Sequence, residues 1–335
     1  NTKKDEKVKP QKRIKNDGIN SQPLQMISNN LSIRFMSNYT YLLLSVFIFS
    51  GCTSSNNKSY IENNSIKHVI LIGSDGFGAY AFNNKANIPN IREMMLKGSY
   101  SLKARAVFPT SSAVNWASMI MGSGPELQGF TEWGSKQPEL PPRVNGTDSI
   151  YPSIISLINE QLPNEKKGVV YTWSGIGYLF EKSLVDLNYN GKSDNDTLDK
   201  ALEFIVSEKP AFTFIHFDEP DITGHDRGHD TEAYYKAIQT IDSHVGTIVN
   251  TLSKENMLKH SAIIFSSDHG GIGKTHGGKT LLETEIPWII FSPNVSPKGA
   301  LNKSIVTYDT ASTIADLLNL TIPNYWRGKS VLKNN

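Results

Sequence analysis

His68-Val69-Ile70-Leu71-Ile72-Gly73-Ser74-Asp75-Gly76 is the stretch that decides the fold. Four consecutive aliphatic residues, Val69 to Ile72, leave no polar face, so a strand here has to be covered on both sides. Strands covered on both sides belong to largely parallel sheets. In such sheets chemistry gathers where the carboxyl ends of the strands open into loops. The loop after Gly73 carries a carboxylate, Asp75, on a turn closed by Gly76.

The same texture recurs downstream. Short apolar runs predict strands over residues 101–108, 168–173, 211–217, 261–267 and 287–291, and helices are predicted over 88–97, 115–121, 150–161, 197–207, 231–252 and 310–318. The expected fold is α/β: a single domain over residues 66–335, with a mostly parallel central sheet flanked by helices on both faces.

The 335 residues are 38% hydrophobic and 20% charged, which suits a packed core and argues against disorder or a polytopic membrane protein. With Lys+Arg 34 against Asp+Glu 32, the net charge of +2 offers no basic face for a nucleic-acid duplex. Residues 1–35 are polar, with lysines crowded near the start, and read as a disordered or upstream segment. Residues 41–49, YLLLSVFIF, are too few to span a bilayer and are followed by Ser50, Gly51 and Cys52. That order reads residues 36–52 as a bacterial lipoprotein signal peptide, Cys52 as the lipidated N-terminus and residues 53–65 as a Ser/Asn-rich tether. An exported, membrane-anchored protein facing the periplasm or cell surface is expected. Cys52 is the only cysteine, so an intrachain disulfide and a Cys-based zinc site are excluded.

Four predicted strands end in reactive side chains. Asp75 follows the first; Pro109, Thr110, Ser111 and Ser112 follow Phe108; Asp221 and His225 come after Phe217; Asp268 and His269 come after Ser267, with His276 in a glycine-rich loop beyond. Asp75, Asp221, His225, Asp268, His269 and His276 supply three carboxylates and three imidazoles. This mixed donor set suits zinc or another first-row metal better than calcium, which takes oxygen alone. Six ligands divide into two sites of three, and two ions about 4 Å apart can hold both the attacking and the leaving oxygen of a phosphoryl transfer. The four-residue spacing of Asp221 and His225 lets one helical turn aim both at one ion. A run beginning at Asp186 starts like a calcium loop but has Thr197 where a Glu is required. His229, His244 and His260 fall outside the pattern and are expected on helix surfaces or in loops; His68 and His216 are expected to be structural.

Asp75-Gly76, FPTSSAVNWASMIMGSGPE (108–126), EPDITGH (219–225), SDHGG (267–271) and THGG (275–278), in that order, resemble the alkaline phosphatase superfamily. Within it, the chain is similar to the type I phosphodiesterase / nucleotide pyrophosphatase family, from about Lys67 to Arg327. The resemblance implies an alkaline-phosphatase-like fold and a phosphodiesterase or nucleotide pyrophosphatase using two Zn2+. The family pattern Phe-Pro-Thr-x-Thr-x-x-Asn lays its nucleophile on Ser112, ahead of a helix whose N-terminal amides favour negative charge. It assigns Asp75, Asp268 and His269 to an ion beside Ser112, and Asp221, His225 and His276 to the other.

Asn115 matches the family's Asn, while Trp133 falls where the family carries the Asn that holds a phosphoryl oxygen, and Ala113 where it carries an aromatic. Trp133, Tyr171, Trp173 and Tyr178 are candidate pocket walls, and Lys279 is a candidate anion contact. The sulfatase nucleophile pattern is absent. No Arg follows Arg105 in the nucleophile segment, and no further carboxylate set for a third ion is visible. The expected substrate is a small-molecule phosphodiester. The alternatives are a zinc phosphomonoesterase and a metal-containing surface lipoprotein that binds without turnover.

Overall fold

Along β1 (His68–Ser74), Val69 and Leu71 face one side of the sheet and Ile70 and Ile72 the other, and all four are fully buried. In this computed structural model, which describes residues 65–83 and 86–333, helices meet that demand on both faces. The other strands are β2 (Ser99–Arg105), β3 (Lys167–Tyr171), β4 (Leu187–Asn190), β5 (Phe212–Phe217), β6 (Ser261–Ser266), β7 (Glu285–Phe291) and β8 (Gly299–Ala300). Among the described residues they form one sheet in the order β4-β3-β5-β1-β6-β7-β2-β8. Only β7 runs against its neighbours, β6 and β2. β1, β2, β5 and β6 therefore all end at one edge.

The helices are α1 (Pro89–Lys97), α2 (Ser112–Met121), α3 (Pro125–Gln128), α4 (Ile154–Gln161), α5 (Asp194–Glu208), α6 (Asp221–Arg227), α7 (Glu232–Lys254), α8 (Leu281–Thr284) and α9 (Asp309–Leu317). Trp116, Ile158 and Ile314, from α2, α4 and α9, bury one sheet face. Ile91, Ile205 and Ile241, from α1, α5 and α7, bury the other. Side-chain caps start two of the long helices: Ser193 accepts the Asp196 N–H ahead of α5, and Thr231 accepts the Tyr234 N–H ahead of α7.

Several boundaries differ from the sequence expectation. α2 starts at Ser112, three residues earlier than expected, so Ser112 lies in its first turn. β2 ends at Arg105, because the chain turns into the loop before Pro109, which has no N–H for a ladder. α4 starts at Ile154, with Ser153 as its cap. β4 and β8 carried no signal, being four and two residues long. Asp186, where the run resembling a calcium loop begins, takes Lys166 Nζ at 2.9 Å and the Lys167 N–H at 3.0 Å. The readings of residues 1–35 and 36–52, Cys52 included, and of the tether up to residue 64 lie outside the described residues. Among the described residues no helix is long and apolar enough to cross a membrane.

Candidate active site

Asp75, at the end of β1, is held from one side only. Its Oδ2 accepts Trp116 Nε1–H at 3.0 Å and His216 Nε2–H at 3.1 Å. Its Oδ1 is buried without a hydrogen-bond partner, 3.5 Å from His269 Nε2. Burial opposes ionisation of Asp75, but the His216 hydrogen bond, His269 and the Trp116 N–H outweigh it and hold the carboxyl well below the usual range. β6 empties into Asp268 and His269, both fully buried. Asp268 Oδ2 is also unpartnered and lies 3.1 Å from His269 Nε2. Burial, together with the carboxylates of Asp75 and Asp221, pushes Asp268 well above the usual range.

The second group is built by α6, which follows β5. Asp221 is its first residue, and His225 sits one turn on. Asp221 Oδ2 lies 3.2 Å from His225 Nε2 and 3.8 Å from His276 Nε2, and the two imidazole nitrogens are 3.1 Å apart. The rings of His269 and His276 stack at 3.7 Å between centroids, which joins the two groups. Without an ion, hydrogen bonding of Nε2–H to Asp221 raises His225 to about 9, so an ion taking Nε2 would displace that proton.

The tautomers follow from the backbone. His225 Nδ1 lies 3.0 Å from the Lys274 carbonyl, His269 Nδ1 2.8 Å from that of Gly270, and His276 Nδ1 3.0 Å from that of Thr110. A carbonyl only accepts, so each Nδ1 carries the proton and each Nε2 turns a lone pair inward. Lone pairs of two imidazoles facing one another, and another facing an unpartnered carboxylate, repel unless a cation lies between them. The ligand atoms of Asp75–Asp268–His269 all lie within 4.8 Å of one another, as do those of Asp221–His225–His276. This donor chemistry fits two first-row divalent ions.

The hydroxyl loop opens beside the first group. Thr110 Oγ1 is spent on the Gly278 carbonyl at 2.8 Å, and Ser111 Oγ is buried without a partner. Ser112 Oγ lies 3.3 Å from His269 Nε2, which can only accept, so the serine donates. The cleft above, about 470 Å³, is lined by Pro109, Ser111, Glu132, Trp133, His225 and His276 among others. Trp133 is 67% exposed there, and its carbonyl accepts the Ala113 N–H at 3.2 Å.

The other residues expected to contact substrate, Asn115, Trp173 and Lys279, lie away from this cleft. Asn115 is fully buried; its amide bonds the Val107 N–H and the carbonyls of Val107, Pro109 and Ser111, so it shapes the nucleophile loop from behind. Trp173 packs against the core beside His216, and Lys279 is exposed on the loop after Gly278; neither lines the cleft. Tyr171 is buried and bonds Asn188, and Tyr178 lines a different cavity, with Lys136 and Lys182.

Sequence reasoning also missed residues. His229, in the turn after α6, and His244, in α7, are both buried. His229 lies 3.6 Å from Asp221, and the sequence signal for it was the repeat of the four-residue step from Asp221 to His225 to His229. A third group, not visible in the sequence, also comes together: Asp75, His216 and Asp218 bring potential ligand atoms within 4.8 Å of one another. Burial and then Asp75 push Asp218 up to about 7.

One edge of the largely parallel sheet thus carries two carboxylate–imidazole groups that could hold metal ions, beside a buried serine. The profile described as Type I phosphodiesterase / nucleotide pyrophosphatase matches residues 69–281, and the chain belongs to that family. Ectonucleotide pyrophosphatase/phosphodiesterase family member 3 of Mus musculus is 25% identical over 238 residues, covering 68% of this chain and 27% of that protein. Family member 1 of Mus musculus is 27% identical over 221 residues, covering 60% and 24%. The chain thus spans about a quarter of the length of these relatives. Murine ectonucleotide pyrophosphatase / phosphodiesterase 5, solved in complex with AMP, shares the fold with a TM-score of 0.64 at 17% identity, covering 77% of this chain and 96% of that one.

Proposed function

We propose that this chain is a metal-dependent phosphodiesterase of the nucleotide pyrophosphatase type, with Ser112 as nucleophile. The observation that carries the reading is Ser112 Oγ, 3.3 Å from His269 Nε2 and beside two converging sets of nitrogen and oxygen ligands. Asp75, Asp268 and His269 would hold one Zn2+ and Asp221, His225 and His276 the other. When bound, such ions lower the pKa of a nearby hydroxyl and neutralise charge on phosphoryl oxygens. Ser112 Oγ gives its proton to solvent and attacks phosphorus in line, and the P–O bond to the leaving alkoxide or phosphate breaks as that group takes up a proton from solvent. Water then cleaves the resulting seryl phosphodiester, releasing the phosphomonoester and returning a proton to the Ser112 hydroxyl.

Ester type follows from charge. Among the described residues no Lys or Arg lines the cleft, whereas Glu132 does. Arg105 is engaged by Glu285 at 3.1 Å. A singly charged diester is therefore favoured over a doubly charged monoester, and nucleotide diesters suit the exposed Trp133 ring. With the same leaving group and pH, kcat/KM for a bis-aryl or nucleotide diester is expected to exceed that for the monoester by on the order of tenfold, about 1.4 kcal/mol of transition-state binding. Equal or better monoester turnover would move the chain to the second reading, a zinc phosphomonoesterase, which the Asp75–His216–Asp218 group favours. No turnover of either would leave a binding protein. The export signal read in residues 36–52 adds a lipid anchor at Cys52. Fatty-acid label should enter the native protein and be lost in Cys52→Ser; label persisting in that variant would refute the anchor.

A further inference from the structure

His229 is the one histidine of the site region whose ring has no hydrogen-bond partner on either nitrogen, and its side chain is wholly buried. The chain is built around it. α6 stops at Arg227, and Gly228, with φ +99°, turns the backbone so that His229 folds back under the helix. The His229 N–H then donates to the Gly273 carbonyl at 2.6 Å. Two glycines make room for the ring: a Cβ on Gly224 would meet it at 2.5 Å, and one on Gly271 at 2.3 Å. Tyr234 closes the cradle, its ring 5.2 Å from that of His229.

The carboxylate oxygen facing His229 is also unpartnered. Asp221 Oδ1 lies 3.6 Å from His229 Nε2, while Asp221 Oδ2 faces His225 and His276. The two oxygens are thus divided between two tasks. His229 does not belong to the converging set of Asp221, His225 and His276, so it stands behind the ligand and not among the ligands.

We infer that His229 is a positioning residue of the Asp221 site: its Nε2–H closes on Asp221 Oδ1 and fixes the carboxylate with Oδ2 presented to the ion. Closure needs a shift of only a few tenths of an ångström, about what separates 3.6 Å from hydrogen-bond length. A partner of this kind both orients a ligand and satisfies the oxygen the ion does not use, and its loss typically weakens metal binding by about 10–100-fold. The inference rests on the two-ion reading of the site but not on catalysis.

The test is metal binding by the whole protein, with Zn2+ measured by chelator competition and Co2+ by its visible spectrum. His229→Leu should bind one ion about 10–100-fold more weakly and shift the spectrum of one cobalt. His229→Gln, which keeps an N–H near the Nε2 position, should recover most of the loss. Gly224→Ala should fold, since Ala favours a helix, and should weaken the same ion by crowding the ring; it decides the matter if His229→Leu does not fold. Both ions bound as in the parent by His229→Leu or by Gly224→Ala, with an unchanged cobalt spectrum, would make the ring mere packing. His229→Gln as damaging as His229→Leu would also overturn the role, as would a parent that binds fewer than two ions. A parent that binds two ions yet hydrolyses no phosphoester would sink the proposed function and leave this inference standing.

Discussion

At the residue scale, three hydroxyls stand in a row and differ in what they bond. Thr110 donates to a carbonyl, Ser111 at the N-cap position of α2 has a hydroxyl with no partner, and Ser112 donates to a nitrogen that sits among the carboxylates. Ser112→Ala is therefore expected to cut turnover by ~10³-fold or more while two ions stay bound, because every carboxylate and imidazole remains. Ser112→Thr should keep part of the activity. A dead Thr110→Ala beside a fully active Ser112→Ala, assayed side by side, would shift the nucleophile to Thr110. The six ligand candidates were legible because Asp and His after an apolar strand are costly unless used. The buttressing residues were not: Trp116, His216 and Asn115 look like ordinary core or helix residues, and only distances reveal which oxygen each one binds.

At the element scale, β1 and α2 are locked together at Gly73. A Cβ there would lie 2.5 Å from the Trp116 ring, the ring whose N–H holds Asp75. Gly73→Ala should cost about 1–3 kcal/mol through overpacking and loosen the ion held beside Asp75. Urea titration with parallel metal titration checks both parts, and an unchanged midpoint would mean the ring moves freely aside. Most strands and helices were readable because two-sided burial writes continuous apolar runs. Element ends were less so. The start of α2 at Ser112 depends on Asn115 gathering the preceding carbonyls, and that contact has no sequence signature.

Over the whole molecule, α7 is tied to α5 by His244, whose Nε2 lies 3.0 Å from Asn195 Oδ1, and its ring packs on Phe217. Burial lowers the pKa of His244, so the folded chain keeps the ring neutral where the unfolded chain takes up a proton. The stability this contributes is present above about pH 6.5 and is lost as the pH falls below it, at a slope of up to about 1.4 kcal/mol per pH unit. The parent should lose stability relative to His244→Gln between neutral and mildly acid pH; parallel pH profiles would rule the linkage out. Local sequence by itself determined the α/β class, the edge where chemistry collects, and the residue types of the candidate metal groups. Those follow from side-chain polarity and period, which act over a few residues. Tertiary structure alone decided which nitrogen of each histidine points inward, which oxygen of Asp221 is left for His229, and that Asn115 works behind the loop. Those choices are made by backbone carbonyls and glycine cradles from strands distant in sequence, and no local pattern encodes them.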